Sequence, residues 1–245
     1  MYRNILIVSD NVSLCKQMLP VIKPYKDRNF NFAISPFSNS YQFENELKEK
    51  VYVIDMNDII VVRNLGRDYD LILSIHCKQI FPKELIKAVK CINIHPGYNP
   101  INRGWYPQVF AIINDLPVGA TIHEIDEELD YGKIIARDFV DKRIYDTSLS
   151  LYEKITQKEM ELFKDNIDSI LNDAYSSFQP ENEGNLFLKK DFNKLCAINL
   201  EENKTVGETI DMLRALTHGD FKNAYFVDPT SGKKVFISVN LTVES

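Results

Sequence analysis

Short apolar segments alternate with longer, helix-like segments in the first half of the chain. Five of the apolar segments are rich in β-branched or aromatic residues, which is typical of parallel strands covered by helices on both faces. These predicted strands span residues 4–9, 30–35, 51–55, 71–75 and 91–95. Residues 57–65 and 82–89 are predicted helices, whereas Pro20 and Pro24 leave residues 12–26 unassigned. The alternation predicts an α/β fold with a doubly wound, mostly parallel sheet.

The pattern changes beyond residue 118. Residues 118–125 and 134–140 are strand-like, and residues 148–172 have the amphipathic pattern of one long helix. Within that helix, Ser150 and Glu153 have the spacing of a capping box. We therefore expect two more strands and a long helix after the alternating first half.

A polar segment at residues 174–184, rich in Ser, Gln, Pro, Glu and Asn, has the composition of a linker. Beyond it, a capping-box pattern at residue 205 starts a helix. Two strand-like segments, the second ending at residue 242, then indicate a hairpin. We therefore expect a main domain at residues 1–178 and a small C-terminal domain, a helix plus a β-hairpin, at residues 179–245.

Composition narrows the class of protein. With 245 residues, 44% of them hydrophobic, the chain can bury one substantial core and a second small one. The net charge of −6 argues against non-specific nucleic-acid binding, and no segment approaches the roughly 18–20 apolar residues of a membrane span. The four cysteines lack C-x-x-C spacing, and the first apolar run is too short for a secretory signal. We expect reduced thiols, a cytoplasmic location and neither a nucleic-acid nor a membrane partner.

The residues after the first predicted strand argue against a nicotinamide-dinucleotide site. Ser9, Asp10 and Asn11 stand where such a site would carry the pattern G-x-G-x-x-G. These three residues lie at the ligand-binding edge of the predicted sheet and either contact a nucleotide or cap the next helix. We favour the cap.

Candidate chemistry is concentrated between residues 93 and 130. Asn93 and His95 are two positions apart at the end of a predicted strand, so their side chains point to the same side. Asp130 follows in a turn that can fold back onto this edge. An amide N–H can stabilise an oxyanion, a histidine can move a proton, and a carboxylate can orient the histidine, which together suit acyl transfer. The alternative is a hydrogen-bonded strand end without a catalytic role.

The whole of this segment resembles the 10-formyltetrahydrofolate-dependent formyltransferases. The resemblance is carried by Asn93-Ile94-His95-Pro96-Gly97, then Gly104 with Pro107, then Asp130-Tyr131-Gly132. The loop at residues 99–108 is most similar to that of the sugar N-formyltransferases. The serine and double leucine that follow His-Pro in many relatives are absent, which argues against the purine-pathway and tRNA branches.

The resemblance implies roles for residues on this sequence. Asn93 would be the oxyanion donor, His95 the proton shuttle and Asp130 the orienting carboxylate. The residues implied to bind the folate are His76, Cys77, Lys78, Gln79, Ile80, Glu127 and Glu128. The residues expected to bind the acceptor are Gly97, Tyr98, Arg103, Trp105, Tyr106 and Tyr225.

Several of these residues also have a structural interpretation. Trp105 either packs on a sugar or anchors its loop, Arg103 either pairs with a diphosphate or is solvated, and Tyr225 either stacks on a base or joins the core. We interpret His123 as a structural residue and His218 as a helix cap. No metal is expected, because the resemblance explains the polar residues without one.

The resemblance implies an enzyme that transfers a formyl group from 10-formyltetrahydrofolate to an amino group of a dTDP-linked amino-dideoxysugar. The favoured acceptor is dTDP-4-amino-4,6-dideoxyglucose, in the biosynthesis of O-antigen lipopolysaccharide or another surface polysaccharide, with a homodimer built by the C-terminal hairpin. The alternatives are the dTDP-3-amino-3,6-dideoxyhexose isomer as acceptor, a 10-formyltetrahydrofolate hydrolase, and a non-catalytic binding module.

Overall fold

A seven-stranded sheet is the centre of the computed structural model, which describes residues 1–244. In chain order, all strands of the described residues are β1 (Asn4–Ser9), β2 (Asn29–Ile34), β3 (Val51–Val53), β4 (Leu71–Ile75), β5 (Lys90–His95), β6 (Arg103–Gly104), β7 (Gly119–Glu124), β8 (Ile134–Phe139), β9 (Leu186–Phe187), β10 (Tyr225–Val227) and β11 (Lys234–Phe236). Strands β6 and β9 pair with each other outside the central sheet, and so do β10 and β11. The sheet has the order β3-β2-β1-β4-β5-β7-β8; its first five strands are parallel, and β7 and β8 are antiparallel to their neighbours. The predicted doubly wound, mostly parallel sheet is confirmed.

Helices cover both faces of this sheet. They are α1 (Val12–Ile22), α2 (Ser40–Leu47), α3 (Ile59–Asp68), α4 (Lys83–Ala88), α5 (Pro107–Ile113), α6 (Ser148–Leu171), α7 (Lys189–Cys196) and α8 (Val206–Leu216). Because side chains alternate along a strand, Ile5 and Ile7 enter a core with α1, α2 and α6, whereas Leu6 and Val8 enter a second core with α3 and α4. This arrangement explains why the first strands are apolar at successive positions.

Two helix starts differ from the sequence-based expectation. Helix α1 forms despite Pro20, because Asn11 caps it by accepting from Leu14 N and Pro20 lies in its last turn. Helix α6 begins with a capping box formed by Thr147 and Ser150, so the predicted box of Ser150 with Glu153 is wrong. The start of α6 is set by the turn of the chain before residue 147, and the spacing of polar residues in the sequence did not reveal that turn.

The order of the strands reverses at β1, so the carboxyl ends of β1 and β4 open a crevice at the sheet edge. Asp10 organises this edge: its Oδ1 accepts from Ser35 N and Oγ and from Ser38 Oγ, and its Oδ2 accepts from Lys78 N. Asn11, and not Asp10, therefore provides the cap that we expected from this segment.

The C-terminal residues contain the predicted helix and hairpin and pack on the main sheet's flank. Helices α7 and α8 share a third apolar core with α5 and the start of α6, which includes Phe110, Leu151 and Leu216. The hairpin of β10 and β11 is shorter than expected, since the second strand ends at Phe236 and not at residue 242. The domain boundary at residue 178 stays a prediction. No helix within residues 1–244 has the length and apolar character required to cross a bilayer.

Candidate active site

A cavity of about 730 Å³ opens at the carboxyl edge of β1, β4 and β5. Its floor is formed by the ends of these strands, and one wall by residues 76–81, His123 and residues 125–130. The opposite wall comes from the start of α5, from α6 and from residues 218–223 after α8. Segments from the whole length of the chain therefore meet at one site.

Asn93, His95 and Asp130 meet in this cavity. Asn93 Nδ2 donates to Asp130 Oδ1 at 3.4 Å, and His95 Nδ1 lies 3.7 Å from Asp130 Oδ2. Asn93 and His95 end β5 on the same side of the sheet, as the two-residue periodicity predicts. The imidazole and the carboxyl group are almost completely enclosed, which strengthens electrostatic interactions between them.

The carbonyl of Asn102 fixes the proton on His95. His95 Nε2 lies 2.9 Å from Asn102 O, and because a carbonyl only accepts, Nε2 carries a hydrogen. Nδ1 is then the nitrogen that faces Asp130. Gly97 makes this contact possible, since a Cβ there would lie 2.6 Å from Asn102 O and 2.7 Å from His95 Nε2.

Asp130 is held by the loop that precedes α5. Its backbone has a φ of +51°, its Oδ2 accepts from Gly104 N at 3.0 Å, and its carbonyl accepts from Asn99 Nδ2 at 2.9 Å. Gly104 itself has a φ of +90°, and a Cβ there would lie 2.1 Å from Phe187 O. Glycine is required at position 104 because the backbone must come this close to Phe187 for the Gly104 N–H to reach the Asp130 carboxylate.

His123 belongs to the same cluster, although we interpreted it from sequence as structural only. Its Nδ1 donates to Glu124 O at 2.7 Å, and its Nε2 accepts from Asn93 Nδ2 at 3.3 Å. Burial lowers the pKa of His123 to about 4, against the attraction of Asp130, so the ring is neutral at neutral pH. The neutral ring orients the Asn93 amide. The role of His123 can be recognised only from the pairing of Asn93 with His123 across β5 and β7, and this pairing exists only in the folded sheet.

The residues expected to bind the folate form one wall of the cavity. His76, Cys77, Lys78, Gln79 and Ile80 line it after β4, and Glu127 and Glu128 line it from the segment that precedes Asp130. Lys83, at the start of α4, joins the two segments through an ion pair of 2.5 Å with Glu127.

Two side chains of this wall do not have their polar groups free. The Gln79 amide is engaged with the backbone, donating to Ile54 O and accepting from Met56 N. Burial raises the pKa of the Cys77 thiol to about 12, so it is not a reactive thiolate. This wall therefore offers exposed backbone and apolar surface more than side-chain charge.

The residues expected to bind the acceptor divide into two groups. Trp105 and Tyr106 line the cavity. The other four do not line it, and this corrects the expectation: they are Gly97, Tyr98, Arg103 and Tyr225.

Each of these four has a structural role that explains its position. Gly97 provides room for the His95 contact, and Tyr98 stacks on Phe139 with ring centroids 3.8 Å apart. Arg103 is buried and donates to Leu129 O and Glu183 O, so its guanidinium cannot reach a diphosphate in the cavity. Tyr225 packs with the third apolar core.

The wall opposite the folate residues contains side chains that the sequence did not reveal. Gln108 Nε2 donates to Ser148 Oγ at 3.2 Å, and Ser148 Oγ lies 3.0 Å from His218 Nδ1. The His218 ring contacts the edges of Tyr152 and Phe221. His218 is therefore not a helix cap; it lies beyond the end of α8 and lines the cavity. No short motif joins these positions, which come together only through packing of the C-terminal residues on α6.

Within residues 1–244, no group of three or more His, Cys, Asp or Glu side chains is arranged to hold a metal ion. Asp10 of the cavity is bonded to Ser35, Ser38 and the Lys78 amide, and Asp130 lies beside His95 and His123. Glu127 and Glu128 are exposed. The arrangement of Asn93, His95 and Asp130 can stabilise a negative oxygen and move a proton at one point of the cavity.

Comparison with known proteins agrees with the acyl-transfer chemistry that the geometry of the site suggests. Residues 26–167 match the family model described as formyl transferase, and residues 191–243 match the N-formyltransferase dimerization C-terminal domain. A dTDP-4-amino-4,6-dideoxyglucose formyltransferase from Mycobacterium bovis is 52% identical over 183 residues, which cover 75% of this chain and 78% of the relative.

Two solved structures are similar over almost the full length. A 4-N formyltransferase from Francisella tularensis is 41% identical with a TM-score of 0.93, and a sugar N-formyltransferase from a Shewanella species is 40% identical with a TM-score of 0.94. Each comparison covers 99% of both chains. The family model covers more than half of the chain and spans both His95 and Asp130, which confirms the resemblance: this chain belongs to the formyl transferase family.

Proposed function

We propose that this protein transfers the formyl group of 10-formyltetrahydrofolate to the 4-amino group of dTDP-4-amino-4,6-dideoxyglucose. The observation that carries the proposal is the convergence of Asn93, His95 and Asp130 in one cavity of a chain that is 52% identical to an enzyme of that name. The similarity of the chain to a 4-N formyltransferase over its full length supports the 4-amino isomer over the 3-amino isomer.

In the proposed reaction, the acceptor amine attacks the formyl carbon. A bond forms between the amine nitrogen and that carbon, and the carbonyl oxygen becomes negative. The Asn93 amide donates to that oxygen. Its present contacts of 3.3 Å and 3.4 Å are long, so one hydrogen can be exchanged for a stronger bond to an oxyanion.

His95 carries the proton between the two nitrogens. Its Nε2 hydrogen is held by Asn102 O, so Nδ1 accepts the proton that the attacking amine loses. Asp130, 3.7 Å away, stabilises the resulting imidazolium. The proton then goes to N10 of the folate as the bond between N10 and the formyl carbon breaks, which leaves the formamide and tetrahydrofolate.

The two walls of the cavity suit the two substrates. The wall of residues 76–81 and 125–129 presents backbone at a strand end, which suits the donor and acceptor edge of a pterin. The wall that contains Trp105, Tyr152, His218 and Phe221 combines aromatic rings with hydroxyl and imidazole groups. Such a surface suits a sugar linked to a nucleotide.

The proposal is tested by incubating the protein with 10-formyltetrahydrofolate and dTDP-4-amino-4,6-dideoxyglucose and measuring the sugar by mass spectrometry. We expect a gain of one formyl group. Parallel reactions with the 3-amino isomer should be slower by at least about tenfold in kcat/KM, since a displaced amine loses its alignment. Absence of formylation of every dTDP-linked amino sugar would refute the proposal.

The hydrolase alternative predicts a different product balance. A 10-formyltetrahydrofolate hydrolase would form formate at the same rate with and without the sugar. A transferase forms one formamide for each folate consumed and little formate. Measuring formate and formamide together separates the two, and a non-catalytic binding module would yield neither.

The C-terminal residues support a homodimer as part of the proposal. Residues 191–243 match a dimerization domain, and the hairpin presents exposed Val227, Val235 and Phe236. A two-stranded hairpin needs further packing to be stable, which a second copy of the chain would provide. The place of the product in O-antigen or another surface polysaccharide, and the cytoplasmic location, stay predictions.

A further inference from the structure

His95 lies between two hydrogen-bond acceptors, but a neutral imidazole has only one N–H hydrogen. Asn102 O is 2.9 Å from Nε2, whereas Asp130 Oδ2 is 3.7 Å from Nδ1. A carboxylate is the stronger acceptor of the two, because hydrogen bonds to a charged group are roughly twice as strong as neutral ones. With equal access, the hydrogen would therefore lie on Nδ1. The observed distances favour Nε2, so the fold must hold the two acceptors at unequal distances from the ring.

One loop, residues 97–104, contacts both acceptors. It contains Asn102, whose carbonyl faces Nε2, and Gly104, whose N–H donates to Asp130 Oδ2 at 3.0 Å. It also contains Asn99, whose Nδ2 donates to the Asp130 carbonyl at 2.9 Å. The bond from Gly104 engages the carboxylate oxygen that faces Nδ1, and the bond from Asn99 supports the Asp130 backbone at its φ of +51°. The position of the 97–104 loop therefore decides which ring nitrogen keeps the hydrogen.

A buried threonine fixes this loop to the central sheet. Thr121 is 0% exposed and lies on β7 directly opposite His95 of β5. Its hydroxyl donates to Gly97 O at 2.6 Å and accepts from Asn99 N at 3.0 Å. The hydroxyl hydrogen and one of its lone pairs are thus both committed to the 97–104 loop. These two bonds fix the start of the loop relative to the strand beside the imidazole.

The Asn99 amide lies in the core although it lowers stability there. Asn99 is 1% exposed, and among residues 1–244 its Oδ1 has no hydrogen-bond partner. An unsatisfied buried acceptor is unfavourable for folding, and an apolar side chain would avoid that loss. What the amide provides is the bond from Nδ2 to Asp130. This indicates that the loop is built for the site and not only for packing.

Other segments also hold the loop. Asn185 N donates to Pro100 O at 3.0 Å, and Arg103 N donates to Asn185 O at 3.2 Å. Arg137 of β8 donates to Asn99 O. None of these bonds involves the threonine hydroxyl. Removal of that hydroxyl should therefore shift the loop without unfolding it.

We propose that Thr121 is a positioning residue that keeps the hydrogen of His95 on Nε2 by holding the 97–104 loop in place. Nδ1 is then free to take the proton of the acceptor amine, a need that comes from the proposed function, on which this inference rests. Without the hydroxyl, Asn102 O moves away from Nε2, and the hydrogen passes to Nδ1, where Asp130 accepts it. A ring in that tautomer cannot take a proton at Nδ1.

Nitrogen NMR of the full-length protein, with isotope label only in histidine, measures the tautomer directly. The chain has four histidines, so the signals of His95 are identified by their loss in His95→Gln. At about pH 9, where a free imidazole is neutral, we expect Nε2–H in the wild-type ring and mainly Nδ1–H in Thr121→Val. Thr121→Ser keeps a hydroxyl and should restore the wild-type tautomer.

Thr217→Val is the matched control. The Thr217 hydroxyl also makes two bonds, donating to Leu213 O at 2.8 Å and accepting from Val239 N at 3.1 Å, but it lies at the end of α8 and outside the loop. This variant should also lose stability in urea unfolding, yet keep His95 as Nε2–H. A wild-type tautomer in folded Thr121→Val, or the same change of tautomer in both valine variants, would overturn the inference.

Kinetics connect the tautomer to the reaction. In Thr121→Val we expect kcat to fall about tenfold to a hundredfold while both KM values change less than about threefold, because only proton transfer is impaired. Thr121→Ser should recover most of kcat. An unchanged kcat in a Thr121→Val protein whose ring is Nδ1–H would contradict the role in proton transfer. If the wild-type protein formylates no amino sugar, the proposed function is wrong, and the NMR comparison still decides whether Thr121 sets the tautomer.

Discussion

His123 shows how a single buried side chain sets the chemical state of the site. Its ring is enclosed in the sheet, and its Nδ1 hydrogen is held by Glu124 O, so only a lone pair remains at Nε2 for the Asn93 amide. The Asn93 amide thereby donates toward both His123 and Asp130. Catalytic geometry at Asn93 therefore depends on His123 staying neutral.

Because burial lowers the pKa of His123 to about 4, the protein should lose stability as the solution becomes acidic. The unfolded chain binds the proton near pH 6.5 and the folded chain does so only near pH 4, so this stability is complete above pH 6.5 and is lost on going down to pH 4. The total is roughly 3 kcal/mol. Urea unfolding between pH 7 and pH 4 should show a shallower dependence in His123→Asn, and equal slopes would contradict the assignment.

Replacing the three central side chains should affect turnover far more than binding. We expect His95→Ala and Asp130→Ala to lower kcat by about a hundredfold to ten-thousandfold, since proton transfer is lost. Asn93→Ala should lower it by about a hundredfold to a thousandfold, since the oxyanion donor is lost. Single-turnover rates and dTDP binding measure the two properties separately. Activity within tenfold of wild type in His95→Ala and Asp130→Ala would refute the site assignment.

At the scale of elements, the start of α6 positions one wall of the cavity. Thr147 accepts from Ser150 N, and Ser150 Oγ accepts from Thr147 N, before the helix continues to Tyr152 and Glu159. Asp146 accepts from Arg143 N and pairs with Lys154, which fixes the turn into the helix. The cap therefore sets the rotation of α6 and, through it, the positions of the cavity residues that it carries.

Loss of this cap should cost measurable stability. Thr147→Ala is expected to lower the free energy of unfolding by about 1 kcal/mol, because one amide at the helix start loses its partner. Glu153→Ala is the matched control: it is exposed and lies within the first turns of the same helix, but it takes no part in the cap. Chemical denaturation measures both, and equal losses for the two variants would contradict the cap at Thr147.

At the scale of the whole molecule, the C-terminal residues complete both the core and the cavity. They cover Phe110 and Leu151 and bring His218 and Phe221 to the wall opposite the folate residues. Tyr106 and Phe192 belong both to this core and to the cavity lining, so the core that contains Leu216 of α8 and Tyr225 of the hairpin also supports the cavity wall. Assembly of the C-terminal residues and the shape of the acceptor site are therefore connected.

The proposed dimer gives a prediction at this scale. Val235→Glu places a charge on an exposed apolar residue of the hairpin, and we expect the solution mass measured by light scattering to fall from two chains to one. Ile144→Glu, at a more exposed residue outside the C-terminal segment, should keep the mass of the wild-type protein. A dimer that persists in Val235→Glu, or a monomeric wild-type protein, argues against a hairpin interface.

Much of the central sheet could be predicted because the apolar pattern that indicates a strand lies within a few neighbouring residues. Strands β1 and β4 have the bounds that the apolar pattern indicated, since burial on both faces requires apolar residues at successive positions. Helix α5 was missed, because its seven residues follow a loop and are too few to show a helical period. The cap of α6 was misplaced for a related reason, since two overlapping polar spacings fit a helix start.

The sequence by itself determined the alternation of strands and helices and the placement of Asn93 and His95 on one side of a strand end. Both follow from periodicities of two and 3.6 residues, which neighbouring positions already contain. Tertiary structure alone decided that His123 faces Asn93, that Glu159 meets His76, and that His218 closes the cavity. These contacts join elements far apart in the chain, and only the packing of complete helices and strands fixes which faces meet.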